Sequence, residues 1–427
     1  MESDFLSYSA REYGPLGPKS AEAIERINRH SATNYSPYPF VVKRTEGPWL
    51  IDPDGNRALD FLSAYSAILS HGHRGVIEAV KNEMENGSDL VSRAIYAERF
   101  ADFVEAVANF TGYQRVMPKS DGGSATDSAM SGILMHGSKR GIARPEVILT
   151  RDFFHGRAWI FGSNALFDPS QSAGRVPRSP GVALADHNAE SIKKAITPNT
   201  VGIFIEVHKG EGGPLFSSRD QYMAIRELAE EKDLLLGADE IQTGLGRCGY
   251  NMAWQEFGEK ARPDFVTLGK ALGGGIVPVS AVVGNEEYMS IFTPGSDGST
   301  YGGYPEACAA GVAALDYIEK ENIPERSRKL GAYFRERLSG IEGISVEHRG
   351  LLMRVEIEGV DTAKHACLEM LMGKGRDPRV FMKHGHHDPE RNVAFTRIAP
   401  PPGAMTEELI DQAVERTIGP VLSKARN

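Results

Sequence analysis

The chain has 427 residues, 41% hydrophobic and 25% charged, which suits two or three packed units and excludes a disordered chain or a small disulfide-stapled one. Lys and Arg number 48 against 57 Asp and Glu, a formal charge of −9 with no basic block to offset it, so nucleic acid is not expected as the main partner. The 46 glycines exceed the roughly 30 that ordinary usage gives at this length. They have no period, which excludes collagen and suggests backbone brought close to a ligand.

Residues 1–40 are polar and aromatic and read as an arm with a short helix over about 19–29. The start lacks a basic-then-apolar leader pattern, and no run reaches the ~18 apolar residues of a membrane span. Cys248, Cys308 and Cys367 are odd in number and widely spaced, which argues against a disulfide framework or a zinc site. A cytoplasmic, reduced setting is expected.

WLIDPDG is a hairpin signal, Gly75 to Met84 reads as a helix, and a long helical pattern covers 96–110. From 115 to 317, short β-branched runs alternate with helical patterns: VILT (147–150), VALA (182–185), VGIFIEV (201–207), DLLLGAD (233–239), FVTL (265–268) and VSAVVG (279–284). That alternation predicts an α/β domain with a mostly parallel sheet and ligands beyond the carboxyl ends of its strands. After Glu319, an amphipathic helix, the alternating LLMRVEIEG and the closing helix TEELIDQAVERTIGPVL suggest a smaller α+β domain. The expected division is 1–65, an arm and hairpin belonging with the small domain; 66–318, the large domain; and 319–427, the small domain.

Two strand ends carry the most chemical information. DLLLGADEIQTGLGR ends an apolar strand in Asp239 and Glu240, and a buried acid there needs a cation, a metal or a hydrogen-bond donor; a helix cap or structural salt bridge is equally open. FVTLGKALGGG delivers Lys270 into a turn before Gly273, Gly274 and Gly275, which suits an amine that forms a Schiff base or, alternatively, an exposed lysine. A helix-sized gap separates the two, so both groups can face one crevice, as a pyridine-aldehyde cofactor requires. SDGGSATDSA (120–129) and GSTYGG (298–303) offer hydroxyls and glycines for an anion, or ordinary turns. After a strand, Phe153, Phe154 and His155 suit covering a planar cofactor or packing in the core. HGHH (384–387) reads as a solvated loop rather than a metal site.

DEIQTGLGRCG (239–249), PDFVTLGKALGGGIVPVSAVV (263–283) and GSTYGGYPEACAAGVAAL (298–315) resemble class III pyridoxal-phosphate aminotransferases, within that group ornithine δ-aminotransferases. NYSPYPFVVKRTEG, LDFLSAYSAILSHGH and TRIAPP extend the likeness from about residue 30 onward. The resemblance implies a fold type I, aspartate-aminotransferase-like homodimer that uses pyridoxal 5'-phosphate, an amino acid and a keto acid. Lys270 would be the Schiff-base lysine and Asp239 the partner of the pyridinium nitrogen. Gln242 would sit near the ring's phenolic oxygen and Phe154 on its face, with Gly122 and Gly123 at the phosphate. Ser299 and Thr300 would reach the partner subunit's phosphate. Arg397 would grip an α-carboxylate, Glu211 would mask it, and Tyr35, Tyr65 and Arg157 would line the ornithine side.

The pattern departs at Ser124, usually a glutamate, at Tyr304, usually an asparagine, and at Val207-His208-Lys209 after Glu206. These departures keep open a racemase, an epimerase or another non-transaminating reaction on a basic or branched amino acid. A non-catalytic protein that kept the fold would not require Lys270 together with Asp239.

Overall fold

The computed structural model describes residues 16–32, 34–87, 89–164, 179–211, 215–358, 360–388 and 393–424. The strands in chain order are β1 (Arg44–Glu46), β2 (Trp49–Ile51), β3 (Arg57–Asp60), β4 (Arg115–Lys119), β5 (Glu146–Thr150), β6 (Val182–Ala185), β7 (Thr200–Glu206), β8 (His208–Lys209) and β9 (Leu215–Phe216). They continue with β10 (Leu235–Asp239), β11 (Phe265–Leu268), β12 (Ser280–Gly284), β13 (Ser345–Arg349), β14 (Leu352–Glu358), β15 (Arg379–Phe381), β16 (Lys383–Asp388) and β17 (Val393–Ile398).

Seven strands form the central sheet in the order β4-β12-β11-β10-β7-β5-β6. Only β12 runs against the rest, pairing antiparallel with both β11 and β4. The sheet is buried on both faces. Ile148 and Leu149, Leu235 and Leu236, and Val282 and Val283 send neighbouring side chains into opposite cores, which is why these strands read as continuous apolar runs. Glycine serves close packing here: a Cβ at Gly237 would enter the Phe265 ring, and one at Gly202 would meet Ile133 at 2.6 Å.

Local signals fix the helices around this sheet. Asp121 caps the helix Gly122–Lys139 through the Ser124 amide, and Ser218 with Gln221 forms a capping box on Arg219–Glu231. The two glycines expected ahead of the first of these helices are its first two residues. Strand β4 carries Pro118, which the sheet tolerates because β4 is its edge.

Among the described residues, the two-stranded β8-β9 and two four-stranded sheets complete the fold. One has the order β13-β14-β17-β16; the other, β1-β2-β3-β15, joins the N-terminal hairpin to a strand near the far end of the chain. Leu59 and Phe61 pack with Phe334, Met353, Val380 and Ile398 in a separate core. The stretch expected as a solvated loop at 384–387 is instead strand, in β16. Its polar residues hid it: pairing with the apolar β17, not its own composition, makes it a strand, and the ladder is bulged between His384 and His387. His384 bonds the Tyr38 hydroxyl at 2.7 Å. Among the described residues no group of His, Cys, Asp and Glu is arranged to hold a metal.

Candidate active site

Five carboxyl ends of the central sheet converge. Strand β10 delivers Asp239, β7 ends in Glu206, and β11 runs through Gly269 into Lys270. The loop after β5 carries Phe154, His155 and Gly156, and the helix after β4 begins at Gly122. With Gly123, Ile241 and Gln242 these residues line one cavity of about 180 Å³. It is the crevice expected in an α/β fold.

Lys270 adopts φ 42°, in the left-handed region, at a cost on the order of 1–3 kcal/mol for a side chain of this kind. That turn aims the amine inward. Nζ donates to Gln242 Oε1 at 2.5 Å and lies 4.7 Å from the centre of the Tyr65 ring. Burial pushes the lysine below its ordinary value, opposed by the charges of Glu211, Asp239 and Glu206. A lysine so placed releases its proton more readily and becomes a nucleophile.

Asp239 is fixed on three sides. Oδ1 accepts from the Ile241 amide at 3.0 Å and from Thr267 Oγ1 at 3.1 Å. Oδ2 faces His155 Nδ1 at 2.8 Å. The imidazole is buried, stacks on Phe153 at 5.1 Å and packs against Phe204 at 4.4 Å. The sequence leaves stacking and packing open for His155, and no spacing in it links His155 to Asp239, so this bond is visible only in the fold.

The adjacent Glu240 serves the scaffold. Its carboxylate accepts from the amides of Ala253 (2.9 Å) and Trp254 (3.0 Å) and from Thr243 Oγ1 (3.0 Å). Glu206, on the cavity wall, accepts from the amides of Phe154 (2.9 Å) and Gly210 (3.1 Å) and so ties two loops to β7. Burial pushes both Glu206 and Glu240 up to about 7.

On the outer side, Arg397 forms an ion pair with Glu211 and is 5% exposed. Tyr65 is buried with Arg397, Glu211 and Arg247 around it. The Arg157 guanidinium lies 5.8 Å from the Tyr35 ring and 6.0 Å from the Phe154 ring. Ser299 and Thr300 are not among the residues lining this cavity. They follow Asp297 and Gly298, which the buried Lys119 ammonium binds.

The departures from the family pattern face elsewhere. His208 pairs with Glu256 at 3.1 Å and accepts from the Ser217 amide at 3.2 Å, while Lys209 Nζ donates to the Arg151 carbonyl. Ser124 bonds Asp121 at the helix cap. Tyr304 packs edge-on to Tyr301 at 5.7 Å, beside a second cleft that includes Arg93, Tyr96 and Phe100.

Residues 30–417 match the family described as "Aminotransferase class-III". The chain belongs to the class III aminotransferases. It is 37% identical over 407 residues to an ornithine aminotransferase of Oceanobacillus iheyensis, covering 93% of this chain and 97% of that one. Its structure resembles the ornithine aminotransferase of Toxoplasma gondii with a TM-score of 0.86 at 28% identity over 96% of each chain. It also resembles an acetylornithine aminotransferase of Elizabethkingia anophelis, with a TM-score of 0.80 at 29% identity over 96% of this chain and all (100%) of that one. The fold is therefore that of the fold type I aminotransferases, and the family implies pyridoxal phosphate.

The class III cavity fits that group. It offers an amine held inward by Gln242, a carboxylate held by its own hydrogen bonds, the apolar side chains of Phe154 and Ile241, and a helix N-terminus for an anion. The Gln242 amide nitrogen is buried with no partner among the described residues. A Cβ at Gly122 would meet Ile241 at 3.0 Å, and one at Gly156 would meet Gly123 at 3.2 Å, so side chains there would narrow the space.

Proposed function

We propose that this aminotransferase moves the distal amino group of ornithine, or of a related diamino acid, to a 2-keto acid such as 2-oxoglutarate. The observation that carries the reading is the ion pair between buried Arg397 and half-buried Glu211, whose acid also bears electrostatically on Lys270. With Glu211 on Arg397, the α-carboxylate of a diamino acid finds that guanidinium occupied. Arg157 and Tyr35 then hold the carboxylate, and the distal amine is the end turned toward Lys270. A keto acid reacts beside its own α-carboxylate and needs Arg397 free. The ornithine and acetylornithine aminotransferases among its relatives support this choice.

When bound, pyridoxal phosphate supplies an aldehyde for amine exchange and a ring that accepts electrons. In this reading Lys270 is the amine that holds the aldehyde and then carries the proton at Nζ. Asp239, oriented by His155, keeps a proton on the ring nitrogen. Gln242 serves the phenolic oxygen, Phe154 the ring face, and Gly122 and Gly123 the phosphate. Ser299 and Thr300 serve the cavity of a second copy in a homodimer. Three free, buried cysteines are consistent with a cytoplasmic setting. His208 and Lys209 bond away from the cavity, so these departures favour neither a racemase nor an epimerase.

The test is a holoenzyme assay with ornithine and 2-oxoglutarate, in which glutamate and a cyclic pyrroline product are expected. Turnover of other amines with none of ornithine overturns the substrate assignment.

A further inference from the structure

One cation beside the site has no task in this scheme. Lys383 stands directly opposite Arg397 in the β16–β17 ladder. Residues so placed project from one face with Cβ atoms about 5 Å apart, and like charges there repel. The next residue, His384, bonds Tyr38. Lys383 is half-buried and lines an apolar cleft with Tyr38, Phe40 and Phe381, which gives its aliphatic stem room to move. Its ammonium has no hydrogen bond or ion pair among the described residues, and it feels the charges of Arg397, Arg157 and Glu211. Arg397 keeps a buried Nε without a partner among the described residues. Glu211 feels Arg397, Lys270 and Lys383 together, and of the three it is paired with Arg397.

Freeing Arg397 for a keto acid displaces Glu211, and a half-buried carboxylate left without a cation is costly. We propose that Lys383 is the second seat of Glu211: the acid sits on Arg397 while a diamino acid is bound and moves to Lys383 when a keto acid takes Arg397. Lys383 is then a positioning residue that lets one pocket accept two unlike substrates. The inference rests on the proposed carboxylate role of Arg397.

Lys383→Met keeps the stem and removes the charge. In single-turnover measurements on the holoenzyme, the ornithine half-reaction is expected to stay within about twofold, while apparent affinity for 2-oxoglutarate falls about tenfold, the scale of one charge-assisted contact. Calorimetric titration with glutarate, a non-reacting dicarboxylate, is expected to weaken by the same factor. In a Glu211→Ala background, Lys383→Met is expected to change neither quantity further. Lys383→Arg keeps a cation and is expected to preserve both, which separates charge from folding. Equal loss in both half-reactions overturns the proposal. A loss that persists without Glu211 also overturns it, because Lys383 would then bind the substrate itself. Should ornithine fail as a donor, glutamate replaces it, and the 2-oxoglutarate and glutarate measurements still read the Lys383 step separately from the substrate assignment.

Discussion

Asp239 and Glu240 are neighbours of the same charge with opposite employment, and hydrogen-bond partners decide which is which. Asp239 meets His155 and Thr267, whereas Glu240 satisfies two amides at the turn Ala253–Phe257. Lys270→Ala is expected to abolish transamination, measured as glutamate formation, while the thermal melting profile stays cooperative. His155→Gln is expected to lower kcat about tenfold to a hundredfold, the scale of a lost hydrogen bond to a charged group, with a shift in the pH profile of kcat that a packing defect would not produce. The pH dependence of stability follows from the buried glutamates. An acid raised to about 7 in the folded state contributes stability that is full below its unfolded value near 4.3 and is lost as pH rises toward 7. Urea melts of Glu240→Gln between pH 5 and 8 are therefore expected to show a shallower decline than the unsubstituted protein. That Lys270 and Asp239 face one crevice was legible because each stands at the carboxyl end of an apolar strand, Asp239 closing β10 and Lys270 just past β11. The His155–Asp239 bond was not, because it depends on two strands being brought together.

At the scale of elements, the strands of the central sheet announce themselves by β-branched runs bounded by turn residues. Strand β4 does not, because Pro118 breaks the pattern and only its place at the sheet edge permits it. Strand β16 is hidden by charge and histidine, and its partner β17 rather than its own sequence makes it a strand. Arg247 is the buried tie that sequence reading missed. Fully buried, it donates to the Pro400 carbonyl at 2.5 Å and to Ser63 Oγ at 3.2 Å, which links the stretch after β10 to the end of β17 and to the turn before Tyr65. Arg247→Ala strands the carbonyls of Pro400 and Leu351 and the Ser63 hydroxyl and is expected to cost about 2–4 kcal/mol, read from denaturant midpoints, with a loss of activity from displacement of Tyr65.

For the whole molecule, the proposed homodimer makes a separable prediction. Ser299 and Thr300 stand outside this chain's cavity, on a segment anchored by Lys119. Sedimentation is expected to give a dimer. Mixing subunits inactivated by Lys270→Ala with subunits carrying Thr300→Val is expected to yield mixed dimers in which one of the two sites has lost both functions and the other neither. Recovered activity in such mixtures, absent from either parent, is the measurement.

The pairing of β3 with β15 has a consequence for synthesis. Ala58, Leu59 and Asp60 leave the ribosome early, yet their parallel partners Arg379, Val380 and Phe381 are made only after the whole central sheet has emerged. Leu59 and Phe61, fully buried at the end, are among the core side chains that wait longest for their neighbours. Nascent chains stalled before Arg379 therefore carry an open apolar edge, the kind of surface that chaperones hold and that aggregation exploits.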